Sequence, residues 1–315
     1  MKIVIFKNKY TYCDFMCEDL SSLEDIIVIE PVDLRKKPFT RFYLKMLRQL
    51  NTGKYYEEFL KMYLRSAVHS DEEVCFVSFD SSPTAQIDFS SIIKQKYPKS
   101  KSALIVYNCI ENNDKKAQNY TNRFDMVFTF DPYDADKYGW VHFLGLMPTN
   151  RSNQIYNKDY DVTFIGNDKG RYSLIKEIYK EVSERGYNCF FYVVSQIAHL
   201  DDIDDKLLHK EMMNFSDLID IEKRSKCVLD ITSVKNNKQG LSLRILEGIY
   251  SNSKIITNNA YSQEIDIVKD NSLYFRSISD FSNIDSFLDT PAHYHDLGRF
   301  SISNIINTIS NSFAR

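Results

Sequence analysis

The sequence predicts an α/β fold built from two doubly wound, Rossmann-like domains in tandem. Short apolar runs rich in Val, Ile and Phe recur along the 315 residues, segments with helical spacing separate them, and the alternation breaks once and then restarts. Continuous apolar strands that alternate with helices are typical of a parallel sheet covered on both faces. The length suits two domains, although one large α/β domain would fit as well. We expect the two domains to face a cleft.

The first domain is predicted over residues 1–145. Its strands are expected in the runs KIVIF (2–6), DIIVIE (25–30), EVCFVSFD (73–80), SALIVYN (102–108) and FDMVFTFD (124–131). Apolar residues at helical spacing lie between them, in RFYLKMLRQL (41–50), YYEEFLKMYLRSAV (55–68) and SSIIKQKY (90–97).

A linker is predicted at residues 146–160, because turn residues and polar residues interrupt the periodicity there. The second domain is predicted over residues 161–290. Its strands are expected at 161–166, 189–195, 226–232, 254–258 and 272–275, with helices at 171–186, 215–224 and 241–251. Residues 291–315 are expected to form a C-terminal helix that packs back on the first domain.

Composition argues against several classes of protein. A net charge of -3 lacks the basic field that non-specific nucleic-acid binding needs. No run approaches the roughly 18 apolar residues of a membrane-spanning helix, and the first apolar run is too short for a signal-peptide core. The six cysteines do not show the paired spacing of a zinc site. We therefore expect a cytoplasmic protein with reduced thiols and no structural metal.

Ligands of open parallel sheets bind beyond the carboxyl ends of the strands, and the segment IGNDKGR lies at such an end. Gly166 ends a strand, and Lys169 and Arg171 directly precede a helix whose N-terminus favours an anion. These residues are candidates for holding a diphosphate. The alternative is an exposed turn with ordinary basic residues. The spacings G-x-G-x-x-G and G-x-x-x-x-G-K-[ST] are absent, which argues against a standard dinucleotide or P-loop site.

A second candidate lies in NNKQGLSLRILEGIYSNSKIITNN, residues 236–259. Gly240 would let the chain approach a ligand at the start of a helix. Glu247 lies off the main apolar stripe of that helix, and its carboxylate could accept two hydrogen bonds from a vicinal diol. Arg244, three positions earlier, is a further candidate for binding the same ligand. The alternative is that Glu247 and Arg244 only pair with each other.

Acidic residues after the strands of the first domain are candidates for a general base. Asp80 and Glu111 are the choices we carry forward, and Asp131, Asp134, His69 and His142 are alternatives. An Asp that follows a strand is often only a turn residue or a helix cap, so the sequence does not choose among them.

Together, several segments resemble cytoplasmic bacterial glycosyltransferases of lipopolysaccharide and capsule biosynthesis with the GT-B fold. These segments are FTFDPYDADKYG, DVTFIGNDKGR, SKCVLDI and QGLSLRILEGIYSNSKIITNN, and the similarity is clearest over residues 124–275.

The resemblance implies roles for the candidate residues. GT-B enzymes of the best-known kind carry an E-x7-E motif, whose second Glu typically binds the ribose and whose first lies near the donor sugar. Glu247 matches the second position, whereas Gln239 occupies the first and is neutral, which leaves the stereochemical outcome open. Lys169 and Arg171 correspond in location to the basic pair that stabilises the departing diphosphate. No metal or other cofactor is implied.

The leading hypothesis is hexosyl or related transfer from a nucleotide-sugar donor on the second domain to an oligosaccharide or lipid-linked glycan on the first. With a lipid-linked acceptor, the protein would work at the inner face of the membrane. One alternative is a nucleotide-sugar-binding protein without catalysis. Another is a Rossmann-type reductase or epimerase, which the missing dinucleotide fingerprint disfavours.

Overall fold

The structure is a computed structural model that describes residues 2–7, 11–23, 25–29, 72–80, 89–110, 113–149, 156–195, 206–232 and 239–313. The chain divides into two compact units, unit 1 (Met1–Pro148 and Phe300–Arg315) and unit 2 (Thr149–Arg299). The helices predicted at 41–50 and 55–68, and the candidates Glu111 and His69, lie outside the described residues.

Strands and helices alternate in both units. The strands are β1 (Lys2–Phe6), β2 (Ile26–Ile29), β3 (Val74–Phe79), β4 (Lys101–Val106), β5 (Met126–Thr129), β6 (Val141–His142), β7 (Tyr160–Asn167), β8 (Cys189–Val194), β9 (Leu208–His209), β10 (Ser225–Asp230), β11 (Lys254–Thr257) and β12 (Ser272–Tyr274). The α-helices are α1 (Thr11–Met16), α2 (Phe89–Lys96), α3 (Asp114–Arg123), α4 (Pro132–Tyr138), α5 (Tyr172–Glu184), α6 (Phe215–Lys223), α7 (Leu243–Tyr250), α8 (Asp266–Lys269), α9 (Ile284–Asp289) and α10 (Ile302–Phe313).

Within the described residues, each unit contains one six-stranded sheet in which all neighbouring strands run parallel. The order is β2-β1-β3-β4-β5-β6 in unit 1 and β12-β11-β10-β7-β8-β9 in unit 2. The predicted α/β class with two Rossmann-like parallel units is confirmed. The long apolar runs form the central strands, where every residue of β3 is buried, because helices cover both faces of such a sheet.

The last helix, α10, belongs to unit 1 and contacts the short 3-10 helix Glu18–Ser22. It begins at Ile302, although helical structure is predicted from residue 291. Much of the segment before it does not continue a helix, since the backbone of Asp296 is left-handed (φ 49°). The Asn271 side chain also holds the backbone N–H and C=O of His293 at 2.7 and 2.8 Å.

The packing of α7 against the sheet sets the position of the segment that carries the Q-x7-E pattern. A Cβ atom at Gly248 would lie 2.3 Å from Cδ1 of Ile255, so the helix lies very close to β11. The ends of β10 and β11 are joined by Asn258, which accepts from the Thr232 N–H (2.7 Å) and donates to the Thr232 carbonyl (3.1 Å). The start of α7 and these two strand ends therefore form one compact edge.

None of the helices in the described part of the chain is long and apolar enough to cross a membrane.

Candidate functional site

The start of α7 is fixed over the carboxyl ends of β10 and β11 by a buried carboxylate. Ser242 caps the helix by accepting a hydrogen bond from the Ile245 N–H (3.2 Å), and its hydroxyl donates to one oxygen of Asp230 (2.8 Å). The other oxygen of Asp230 accepts from the Thr257 hydroxyl (2.8 Å). Asp230 is 1% exposed, so a satisfied buried anion holds the helix to both strands.

Arg244 lies across the backbone of β7. Its Nη2 donates to the carbonyl of Ile165 (3.0 Å), and its guanidinium carbon lies 4.6 Å from the ring centroid of Phe164. Its Nη1 lies 3.8 Å from the carboxylate of Asp230. Gly166 has φ 154°, and a Cβ atom there would lie 2.2 Å from Nη2 of Arg244. Gly166, a candidate for holding a diphosphate, therefore makes room for the arginine.

Glu247 lies one turn after Arg244 and is 5% exposed. Burial raises the pKa of Glu247 to about 7, with the Arg244 charge opposing this rise and the Asp230 charge adding to it. Among the described residues, Arg244 forms its ion pair with Asp230 rather than with Glu247. The helix thus carries a strongly perturbed carboxyl group beside a cation, which is a common property of functional sites.

A second buried carboxyl group, Glu222 on α6, lies next to this pair. It is fully buried, and neither of its carboxylate oxygens has a hydrogen-bond partner among the described residues. Burial and the charge of Glu247 raise its pKa well above the ordinary value, against the opposing charge of Arg244. Sequence reasoning missed this residue. The available signal was its spacing, since Leu218 and Ile219 share its buried helix face.

The loop between β7 and α5 presents an exposed lysine on a tight turn. Lys169 and Gly170 both have left-handed backbone, with φ 45° and 78°. Beneath them, buried Asp168 accepts hydrogen bonds from the Gly170 N–H (3.4 Å) and the Ser195 hydroxyl (2.8 Å). The turn is therefore held by Asp168, and the ammonium-bearing side chain of Lys169 lies at the surface.

Arg171 has protein partners for its guanidinium group. Nε donates to the carbonyl of Asp168 (2.9 Å), Nη2 donates to that of Asn167 (2.9 Å), and Nη1 donates to that of Ile231. These bonds connect the end of β7 to the end of β10. These are the contacts of a residue that stabilises the loop, and a contact of Arg171 with a diphosphate stays a prediction.

Gln239 and Gly240 lie on the approach to α7, next to residues 233–238, which are not described. Gln239 is partly buried, and Gly240 is buried with its carbonyl accepting from the Asn259 side chain (3.0 Å). Gln239 and Gly240 therefore lie at the same edge of the sheet as Ser242 and Asp230.

Two of the candidate bases of unit 1 have structural partners. Asp131 caps α4 by accepting from the N–H groups of Tyr133 (2.9 Å) and Asp134 (3.2 Å), and its other oxygen accepts from the Cys109 thiol (3.0 Å). Asp134 accepts from the Ile110 N–H (2.9 Å), and burial raises its pKa. The contacts of Asp131 are those of a helix cap, a role that the sequence left open.

The other described candidates lie on the same sheet edge. Asp80 follows β3, is 7% exposed, and accepts from the Asn108 side chain at 3.3 Å. His142 ends β6, with Nε2 3.3 Å from the carbonyl of Phe130, and burial lowers its pKa.

No family model and no curated protein matches this sequence. Solved structures do match. The N-terminal domain of Candida albicans trehalose-6-phosphate phosphatase is 10% identical with a TM-score of 0.50, over 99% of this chain and 89% of that chain. T4 phage β-glucosyltransferase (BGT) in complex with UDP and Mn2+ is 12% identical with a TM-score of 0.45, over 100% and 97%.

A chain of the Gap123 glycosylation-associated complex from Streptococcus agalactiae is 12% identical with a TM-score of 0.45, over 84% of this chain. The present chain spans only 56% of that protein's length. At such identities a likeness concerns the fold alone, and the match at 0.50 agrees with the two parallel α/β units. Metal independence stays a prediction.

Proposed function

We propose that this chain is a glycosyltransferase that moves a hexosyl or related sugar from a nucleotide-sugar donor to a glycan of the bacterial surface, in lipopolysaccharide or capsule. One observation supports the proposal most strongly. The Q-x7-E pattern spans the start of α7 at the carboxyl edge of a parallel sheet, where ligands of such sheets bind. Its glutamate is a buried carboxyl group next to Arg244.

In this proposal unit 2 binds the donor. Glu247 accepts hydrogen bonds from the two hydroxyls of the ribose, which requires its ionised form, and the charge of Arg244 favours that form. Gln239 and Gly240 approach the donor sugar. Gly166 allows Arg244 to reach its place on β7.

Transfer creates negative charge on the departing nucleoside diphosphate. Exposed Lys169 directly precedes the N-terminus of α5, a 13-residue helix whose first residue has no side-chain cap from Arg171. A cation and a helix N-terminus both stabilise a developing anion. We propose that these groups replace a metal ion in the reaction, while Arg171 maintains the loop that carries them.

The acceptor is proposed to be an oligosaccharide or a lipid-linked glycan, met in the cytoplasm or at the inner face of the membrane. Its hydroxyl group must lose a proton during transfer. Asp80 and Glu111 remain our candidates for the base.

A second candidate function is a nucleotide-sugar-binding protein without catalysis. Asp131 and Asp134 are held in structural hydrogen bonds, and neutral Gln239 replaces the acidic residue of the E-x7-E motif. Both features favour binding over chemistry.

The test is to titrate the protein with UDP-, GDP-, ADP- and dTDP-sugars and then to add a panel of surface-glycan oligosaccharides and lipid-linked glycans. An enzyme binds a donor and releases nucleoside diphosphate when the acceptor is added, and the rate is unchanged in EDTA. Binding without acceptor-dependent release would favour the second function. Failure to bind any donor would refute both, and loss of the rate in EDTA would refute metal independence.

A further inference from the structure

Unsatisfied polar atoms concentrate on residues of α6, α7 and the position that follows α7. Of the eight buried side-chain N and O atoms that have no hydrogen-bond partner among the described residues, four belong to Glu222, Arg244 and Ser251. Arg244 and Ser251 lie three positions before and four positions after Glu247, so all three share a face of the helix region. Fully buried Glu222 lies on α6, which packs against α7, and its carboxyl group interacts electrostatically with Glu247 and Arg244.

The protonation of Glu222 follows from its surroundings. An ionised carboxylate that is fully buried without hydrogen bonds is strongly disfavoured. The helix α6 packs against α7, β10 and β7. The charged groups that act on Glu222 are Glu247 and Arg244 of α7, and Asp230 of β10 acts on Glu247. No titratable group of β7 acts on Glu222. Arg244 is already paired with Asp230. Its charge is therefore too little to stabilise both Glu222 and Glu247 in their ionised forms.

We propose that Glu222 is a positioning residue that stays protonated at neutral pH and donates its proton in a hydrogen bond to Glu247. Above the pKa of Glu247 the pair then holds one proton, and this proton lies on Glu222. Glu247 is then the ionised residue of the pair. The hydrogen bond from Glu222 fixes the orientation of its carboxylate, and the remaining lone pairs are available to a ligand. That last step rests on the proposed function, in which the ligand is the ribose of a nucleoside diphosphate.

The protonation state predicts a specific dependence of stability on pH that does not require any nucleotide. Glu222 ionises in the unfolded chain above its ordinary pKa but keeps its proton in the fold. Relative to Glu222→Gln, a neutral isostere, the unfolding equilibrium constant of the wild type should therefore rise about tenfold per pH unit between about pH 5 and pH 8. Asp220→Asn removes an exposed acid from the same helix and should preserve the wild-type pH dependence.

The measurement is urea unfolding of wild type, Glu222→Gln and Asp220→Asn at several pH values. If the ratio of the unfolding equilibrium constants of wild type and Glu222→Gln did not change with pH, Glu222 would be ionised in the fold and the proposal would be overturned. If Glu222→Gln does not fold, infrared spectra of the wild type decide instead. The carbonyl stretch of a protonated carboxyl group should persist at pH 8, and its absence would overturn the proposal.

The positioning role has its own readout. Glu222→Leu removes the hydrogen bond to Glu247, whereas Glu222→Gln keeps an N–H donor. We expect the affinity for UDP, or for whichever of GDP, ADP and dTDP binds, to fall at least about tenfold in the Leu variant and to be restored by Gln. Equal affinities of the two variants would overturn the positioning role. If the wild type binds none of these nucleotides, the proposed function fails, and the unfolding series still decides where the proton lies.

Discussion

Replacing Gly166 by Ala perturbs the contact between β7 and α7 most selectively. The added Cβ atom would lie 2.2 Å from Nη2 of Arg244, well inside van der Waals contact, so the guanidinium group must move. Moving it breaks the 3.0 Å hydrogen bond to the carbonyl of Ile165 and the contact with the Phe164 ring.

Backbone strain at residue 166 and the lost contacts of Arg244 determine how far Gly166→Ala lowers the free energy of unfolding. Strain from φ 154° in a residue with a Cβ atom costs roughly 1–3 kcal/mol. Loss of a hydrogen bond from a charged donor costs about 1.5–3 kcal/mol, and loss of the cation–π contact costs about 0.5–1 kcal/mol. The part that depends on Arg244 is therefore roughly 2–4 kcal/mol, and it disappears if the arginine is absent.

The assay is urea unfolding followed by circular dichroism for wild type, Gly166→Ala, Arg244→Ala and the double variant. We expect a coupling free energy of roughly 2–4 kcal/mol between the two sites. Gly170→Ala is the matched control, because Gly170 also has positive φ (78°) but nothing within 4 Å of its added Cβ atom. If Gly166→Ala lowers the free energy of unfolding equally with and without Arg244, the close approach of Arg244 to Gly166 does not exist in solution and the reasoning is wrong.

Three further predictions concern groups at or near the site. The pKa of Glu247 is raised from its ordinary value of 4.5 to about 7 in the fold, so protonated Glu247 stabilises the fold fully below pH 4.5 and this stabilisation is lost as the pH rises through 7. The loss in the free energy of unfolding is roughly 3 kcal/mol. Glu247→Gln should remove this pH dependence from unfolding curves. Lys169→Ala should weaken nucleoside diphosphate binding about tenfold at an unchanged melting temperature. Arg171→Met loses hydrogen bonds to strand-end carbonyls and should lower the free energy of unfolding by roughly 2–4 kcal/mol. If Lys169→Ala instead lowered stability and Arg171→Met weakened only binding, the two roles would be exchanged. Asp131→Ala should lower the free energy of unfolding by about 1 kcal/mol through the lost helix cap, without changing the transfer rate per folded molecule. The control is Asp136→Ala, which replaces an exposed acid of the same helix. A larger loss of transfer in Asp131→Ala than in this control would make Asp131 a candidate base.

Periodicity was sufficient to predict the fold class and most strands in the described residues. The run expected at 161–166 is β7, Tyr160–Asn167, and the run expected at 254–258 is β11, Lys254–Thr257. Apolar spacing reports which residues of one element are buried, and parallel pairing follows from the alternation with helices. The end of the helical region was harder, because the tether from Asn271 to His293 joins distant parts of the sequence.

The site was only partly predictable for the same reason. Local positions made Gly166 and Arg171 candidate anion ligands, but gave no signal of their contacts with Arg244 and Ile231, which lie many residues away in the sequence. The helical spacing of Glu222 with Leu218 and Ile219 could have indicated its burial, but not which charged groups of another helix act on it. A sequence pattern indicates where the chain turns and what is buried, but it does not specify which distant groups a long side chain meets.

The most direct test of the donor site is calorimetric titration of the protein with UDP, GDP, ADP and dTDP. The comparison is between wild type, Glu247→Gln and Glu184→Gln, the last replacing an exposed glutamate at the far end of α5. We predict that one nucleotide binds the wild type, that Glu247→Gln weakens it at least about tenfold through loss of the charged acceptor, and that Glu184→Gln binds like wild type. No binding to the wild type, or equal binding by a folded Glu247→Gln, would contradict a donor site at α7.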